Sequence, residues 1–158
     1  MMEYLYAHEK AWAEKQLFNV ERRIKELGLE LGQIYDQSSE TWHDNGPADV
    51  VMNEVGGLWD RRSWLLSLTA RKLHAYPKTN GRVLSAGHIG VLRVNNHTQI
   101  KVYLGNINIE LTDMIHIGPQ APMYLAAQGR RHDEEFSLNH KKYKLEQIIV
   151  GKADMFHI

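Results

Sequence analysis

Two hydrophobic periods divide this chain. Leu17, Val20, Ile24, Leu27, Leu31 and Ile34 recur at alternating steps of three and four, the spacing of a supercoiled helix pair. A rougher row follows at Val51, Val55, Leu58, Arg62, Leu65 and Thr69. Folded antiparallel, with Ile34 against Val51 and Leu27 against Leu58, the two rows reflect about Trp42 and His43. This predicts a coiled-coil hairpin over residues 1–76. Its first helix runs from near Met2 to about Ser38, a rod of roughly 50 Å at about 1.5 Å per residue. The second helix starts at Gly46-Pro47, where Pro suits the first turn, and continues to about Leu73. Asp49 sits where an acid complements a helix N-terminus, so it reads equally as a capping acid or a functional one. Gly28, Gly32, Gly56 and Gly57 each weaken a helix by about 1 kcal/mol. Close contact between the helices, or with a partner, would account for the Gly56-Gly57 pair. Tyr4, Tyr6, Trp12 and Phe18 spread wider than a two-helix seam requires and are expected to pack on a second domain.

The second period begins after Tyr76-Pro-Lys-Thr-Asn-Gly81, which has the composition of a linker, residues 77–82. His88–Val94 and Thr98–Leu104 alternate with period two around Asn95-Asn96, a β-hairpin whose turn residues tolerate positive φ. Ile107, Ile109 and Leu111 alternate again, as do Ile115 and Ile117. Pro122 to Gly129 predicts one or two helical turns, opened by Pro and closed by Gly. Glu135–Leu138 and Tyr143–Val150 form a last strand pair across Asn139-His-Lys. The fold class is α+β: an N-terminal antiparallel helical hairpin, then a small, mostly antiparallel β domain over residues 83–152 with one short helix. Residues 153–158 are expected to be a frayed tail.

Charge sharpens the picture. The chain of 158 residues has 19 basic and 19 acidic residues, but the balance is local. Residues 26–60 hold eight acids (Glu26, Glu30, Asp36, Glu40, Asp44, Asp49, Glu54 and Asp60) and no Lys or Arg, leaving 19 bases against 11 acids elsewhere. A mixed-sign surface is the usual choice for solubility; a single sign suits an electropositive channel or a metal site. The bases elsewhere are scattered rather than clustered, which argues against direct nucleic-acid binding. With no cysteine, disulfides, thiolate metal sites and cysteine nucleophiles are excluded. The N-terminus lacks a charged-then-apolar signal pattern and no apolar run approaches a membrane span, so a cytoplasmic protein without a membrane segment is expected.

Ala121-Pro-Met-Tyr-Leu-Ala-Ala-Gln-Gly129, Arg130-Arg-His-Asp-Glu-Glu-Phe136 and Tyr143-Lys-Leu-Glu-Gln-Ile148 resemble corresponding segments of the Gre-type transcript cleavage factors, which enter the secondary channel of bacterial RNA polymerase. With the order of hairpin, linker and sheet, the resemblance covers about residues 5–150. It implies a coiled coil on a domain like that of FK506-binding proteins (FKBP-like). That domain would grip the channel rim, with Ala121, Pro122 and Met123 in the partner surface, while the hairpin reaches the active centre. One departure matters. Cleavage-competent members carry Asp-x-x-Glu-Asn at the hairpin tip, whereas this chain has Asp44-Asn-Gly-Pro-Ala-Asp49. Setting Asp44 on the family's Asp places Pro47 where Glu belongs. Counting back from Leu73 instead puts Asn45 and Ala48 on the two acids and Asp49 on the Asn.

The family reaction hydrolyses backtracked RNA with two Mg²⁺ ions, one held weakly by the polymerase. Mg²⁺ prefers carboxylate and water oxygens, so a delivered carboxylate can fix that ion and orient its water. The acidic tip near residues 40–49 offers Asp44 as the best catalytic and metal-binding candidate, with Glu40 beside it and Asp49 as a further possibility. His43 could move protons near neutral pH or simply be solvated; Trp42 could pack across the helix ends. None of the nine histidines has a partner at i+3 or i+4, which argues against a preformed zinc site. The expected protein is an accessory factor rather than an enzyme. It has no cofactor of its own, shares Mg²⁺ with RNA polymerase, meets nucleic acid only through it, and is monomeric. Channel occupancy without cleavage is the alternative. A peptide-binding or prolyl-isomerase-like module with a coiled-coil arm is disfavoured, because the second domain offers only Tyr103, Tyr124, Phe136, Tyr143 and Phe156 for an aromatic pocket.

Overall fold

A computed structural model describes residues 3–37 and 46–158. The predicted hairpin apex, with Ser38, Ser39, Glu40, Trp42, His43, Asp44 and Asn45, lies outside the described residues. The elements in chain order are β1 (Tyr4–Leu5), α1 (Ala7–Gln37), α2 (Gly46–Thr69), β2 (Lys72–Leu73), β3 (His88–Val94), β4 (Thr98–Leu104), β5 (Ile109–Glu110), β6 (Ile115–Ile117), α3 (Pro122–Ala127), β7 (Glu135–Leu138) and β8 (Lys141–Val150). The fold is a long helical hairpin followed by a sheet with one short helix. It divides into two compact units, residues 10–71 and residues 1–9 with 72–158.

In the helical unit the two hydrophobic rows form the seam. Every member of both rows is buried or half-buried, and Val20, Leu27, Val51 and Leu65 are almost wholly enclosed. The helices run antiparallel. Trp12 meets Trp64 edge to face at 6.2 Å, Glu21 pairs with Arg62 at 3.1 Å, and Arg23 pairs with Glu54 at 3.0 Å. Farther along, the Tyr35 hydroxyl lies 3.8 Å from Met52 Sδ. Arg62 occupies a seam position because its stem packs while its head reaches Glu21 and lies 5.1 Å over the Trp59 ring. A Cβ at Gly28, Gly32, Gly56 or Gly57 would meet nothing within 4 Å. Close approach of the two helices therefore does not account for these glycines.

The sheet unit claims more of the chain than the sequence implied. Residues 1–9 and 72–76 belong here rather than to the hairpin. α2 stops at Thr69, and Lys72–Leu73 instead pairs in parallel with Tyr4–Leu5, the His74 amide donating to Leu5 O at 2.7 Å. α1 begins at Ala7, not near Met2, because Tyr4 and Leu5 are taken by that pairing. The supposed linker is bonded to the sheet: the Val150 amide donates to Asn80 Oδ1 at 2.9 Å, and His88 Nε2 donates to Thr79 O at 2.9 Å.

The main sheet has the order β5-β6-β4-β3-β8-β7 and is antiparallel except for the β4–β6 pair. The two expected hairpins are present. Their turns place Asn95 and Asn96, then Asn139 and His140, at positive φ, the region Asn enters most readily. Both faces are covered. One carries Leu92, Val102, Leu104, Tyr124, Phe136 and Leu145 around α3. The other carries Tyr6, Ile89, Tyr103 and Phe156. Phe156 is 7 % exposed, so the tail is packed rather than frayed. No described helix is long and apolar enough to cross a membrane.

Candidate functional site

Of the hairpin-end acids singled out from sequence, Glu40 and Asp44 lie outside the described residues. Asp49 is in the first turn of α2 and exposed, as both of its readings require. Ala48 beside it is fully buried. Pro47 and Ala48, which stand at acid positions in the two alternative registers, therefore supply no carboxylate, and Ala48 faces inward as well. The acidic stretch also has counter-ions at its edge. Arg23 lies 3.5 Å from Glu26, 3.6 Å from Glu30 and 3.0 Å from Glu54. These are solvent-exposed pairs of small energetic weight, and one guanidinium among three carboxylates leaves this part of the hairpin net acidic.

The candidate partner surface lies at the start of α3. Pro122 fixes the first helical turn, and Gly129 takes φ +80° just beyond the helix. Tyr124 and Ala127 point into the core. Ala121 and Met123 are half-buried against the same core. Pro122 is exposed, and Leu125, three positions on, is 64 % exposed. Pro122 and Leu125 thus make the outward apolar pair. Leu125 was missed because a Leu in a short apolar run gives no sign of which way it faces.

A third group was not visible in the sequence at all. His8 and Glu9, in the first turn of α1, meet His116 of β6, and all three are at most 3 % exposed. His8 Nε2 lies 2.8 Å from His116 Nε2. The His116 Nδ1–H donates to Ile107 O at 3.0 Å, and His8 Nδ1 lies 2.7 Å from the Tyr76 hydroxyl. One hydrogen-bond assignment satisfies the whole chain: Tyr76 O–H donates to His8 Nδ1, and His8 Nε2–H donates to His116 Nε2. Phe156 stacks on His8 with centroids 3.6 Å apart and planes 7° apart.

Glu9 is the third residue of α1 and reaches back to the Tyr6 amide at 2.8 Å, half of a capping box. Its carboxylate also accepts from the Asn106 amide at 2.7 Å, the Asn106 side chain at 3.0 Å and the Ile107 amide at 3.2 Å. Its Oε2 lies 3.9 Å from His116 Nε2. Gly105 makes room for this arrangement, since a Cβ there would sit 2.5 Å from His116 Cε1 and 2.7 Å from Glu9 Oε2.

Burial sets the protonation of the cluster. It lowers His8 to about 3, helped by the neighbouring His116, and lowers His116 to about 4. Burial raises the Glu9 carboxyl, opposed by the hydrogen bonds it accepts from Tyr6, Asn106 and Ile107. It also pushes Tyr6 up to about 12 and pushes Tyr103 well up. Tyr103 Oη is the one buried side-chain polar atom among the described residues without a hydrogen-bond partner.

No family model matches this chain, and no curated protein sequence does either. Among solved structures, it is similar to the transcription factor Gfh1 at 16 % identity and TM-score 0.44, over 94 % of this chain and 97 % of that one. It is similar to the GreA factor homolog 1 protein of Thermus thermophilus at 19 % identity and TM-score 0.44, over 94 % and 99 % of the two chains. Gfh1 of Thermus aquaticus gives 19 % identity and TM-score 0.41, over 92 % of this chain and 97 % of that one.

Proposed function

We propose that this chain is a Gre-type transcription elongation factor that binds RNA polymerase and stimulates cleavage of backtracked RNA. The observation that carries the reading is a pairing within one chain. An antiparallel hairpin with no Lys or Arg over residues 26–60 precedes a sheet domain bearing the Ala121–Gly129 segment. In this reading the FKBP-like domain grips the channel rim through Pro122, Met123, Ala121 and Leu125. The acidic hairpin end then brings Asp44, supported by Glu40, to the weakly held Mg²⁺ of the polymerase, where a carboxylate fixes the ion and orients its water. The factor works as a cytoplasmic monomer and has no metal of its own at the hairpin end.

A second reading, occupancy of the channel without cleavage, is favoured by Pro47 and the buried Ala48, which leave no second acid in either register of the family motif. A transcript-cleavage assay on a stalled, backtracked complex separates the two. Stimulated cleavage that falls about a hundredfold in Asp44→Asn, with binding intact, is expected if the carboxylate stabilises developing charge. Inhibition that is equal in wild type and Asp44→Asn, with no cleavage in either, would establish occupancy instead.

A further inference from the structure

The histidine pair admits a use that its hydrogen bonds alone do not exhaust. His8 and His116 are 108 positions apart, yet their Nε2 atoms face each other with Glu9 alongside. The Ile107 carbonyl holds the proton of His116 on Nδ1, leaving its Nε2 lone pair directed into the cluster. A carbonyl that accepts from the far ring nitrogen in this way fixes the orientation of a metal-binding histidine. Tyr76 gives His8 the same option, because a hydroxyl can accept from Nδ1–H as readily as it donates to Nδ1. A change of tautomer, with Nε2 losing its proton to water and Nδ1 taking one up, turns His8 Nε2 into a second lone pair, and rotation of the Tyr76 hydroxyl accommodates the new Nδ1–H. Glu9 contributes a fixed oxygen at 3.9 Å from His116 Nε2.

We propose that His8, His116 and Glu9 form a binding site for one divalent transition-metal cation of the zinc class, which clips the N-terminal segment to the sheet. Two imidazoles and a carboxylate are the donor set that such cations select, whereas Mg²⁺ and Ca²⁺ prefer all-oxygen ligands. Nitrogens bound at about 2.0–2.1 Å in tetrahedral geometry stand roughly 3.3 Å apart. The rings therefore separate by about half an ångström from their 2.8 Å spacing. On Glu9 Oε2 the 3.2 Å bond from Ile107 is longer than the 2.7 Å bond from Asn106, and it is the one a cation displaces. Entry is through the segment that carries two of the ligands. Residues 3–9 are held by the two-residue strand pair Tyr4–Leu5 with Lys72–Leu73 and by the burial of Leu5, Tyr6, His8 and Glu9, so loading follows a local opening of this segment and is slow. A cation then closes a loop that the metal-free chain holds by packing and hydrogen bonds alone. This site is independent of the polymerase reading and lies among residues of the sheet unit only.

The test is titration of the purified, chelator-treated full chain with Co²⁺, followed by visible absorption, with Zn²⁺ as competitor. One equivalent of Co²⁺ should give ligand-field bands that one equivalent of Zn²⁺ removes, and His116→Gln should lose them. The surface variant His132→Gln should retain them. The wild-type chain supplies a readout independent of any effect of His116→Gln on folding. Imidazole ¹⁵N spectra should show Zn²⁺ shifting Nε2 of His8 and His116, and the thermal midpoint should rise with added Zn²⁺. Absence of bands at millimolar Co²⁺ overturns the proposal. So do bands that survive in His116→Gln, or ¹⁵N shifts confined to the exposed histidines. The pair would then be a neutral hydrogen bond only.

Discussion

At the scale of single residues, His116 shows how a sheet covered on both faces uses its polar positions. Ile115 and Ile117 pair with Val102 and Leu104, while His116 pairs with Tyr103 and shares its face. Alternation alone assigns the isoleucines inward and the histidine outward. Instead Ile115 is 41 % exposed and His116 only 2 %. Burying two imidazoles makes folding sensitive to acid. In the unfolded chain they titrate near 6.5, whereas in the folded chain burial holds His8 at about 3 and His116 at about 4. Folding therefore favours the neutral rings. Their contribution is complete above about pH 6.5 and declines as pH falls, because the unfolded chain takes up protons that the folded chain refuses. Glu9, its carboxyl raised by burial, acts in the opposite sense and offsets part of this loss. In metal-free buffer, urea midpoints should fall steadily from pH 7 to pH 5, and His116→Gln should flatten that slope. A wild-type midpoint constant over this interval would show that the rings are not held neutral.

At the scale of elements, the terminal segments behave unlike their composition. Gly151–Ile158 has no periodicity, yet Phe156 stacks on His8 and lies edge-on to Tyr103 at 4.7 Å. The Gly151 amide donates to Gly87 O at 2.9 Å. The tail is thus a lid on the second face of the sheet. Phe156→Ala should cost about 3 kcal/mol, the low end for removing a buried aromatic ring, since a chain end relaxes more freely than a core. Chemical denaturation measures this loss; a change below about 0.5 kcal/mol, the range of a surface substitution, would return the tail to a frayed state. At the other end, Tyr6 stacks on Tyr76 with centroids 5.2 Å apart and belongs to the same face. The expectation that early aromatics pack on a second domain holds for Tyr6, while Trp12 stays in the helical seam and Phe18 is 65 % exposed.

At the scale of the whole molecule, the proposed division of labour is grip by the sheet unit and chemistry by the hairpin end. The outward pair on α3 makes the grip testable. Leu125→Glu replaces an exposed apolar side chain by a charge, and Pro122→Asp does the same one turn earlier. Each should weaken binding to RNA polymerase at least about fivefold, since an anchor residue at an interface contributes more than about 1 kcal/mol. Melting temperature should change little for Leu125→Glu, whose side chain is largely in solvent. A pull-down of unchanged strength with both variants would place the grip elsewhere.

Elements with local signals are legible in the chain before it folds. The heptad rows specify both helices and their antiparallel seam, because each residue in a row repeats the same burial. Asn95-Asn96 and Asn139-His140 specify two β-turns, because positive φ is a property of the residue and its neighbours. Pro122 and Gly129 bracket α3 for the same reason. The concentration of acid over residues 26–60 is a matter of composition. Tertiary structure decided what depends on contacts between distant positions. It gave residues 3–9 to the sheet unit, bonded Thr79 and Asn80 to it, and folded Phe156 inward. It also set His8 and Glu9 against His116, more than a hundred positions away. No spacing rule detects that meeting, since neither histidine has a partner within a helical turn. It follows from the β6 register, which turns His116 toward Tyr103, and from the strand pairing of Tyr4–Leu5, which lays the first turn of α1 beside it.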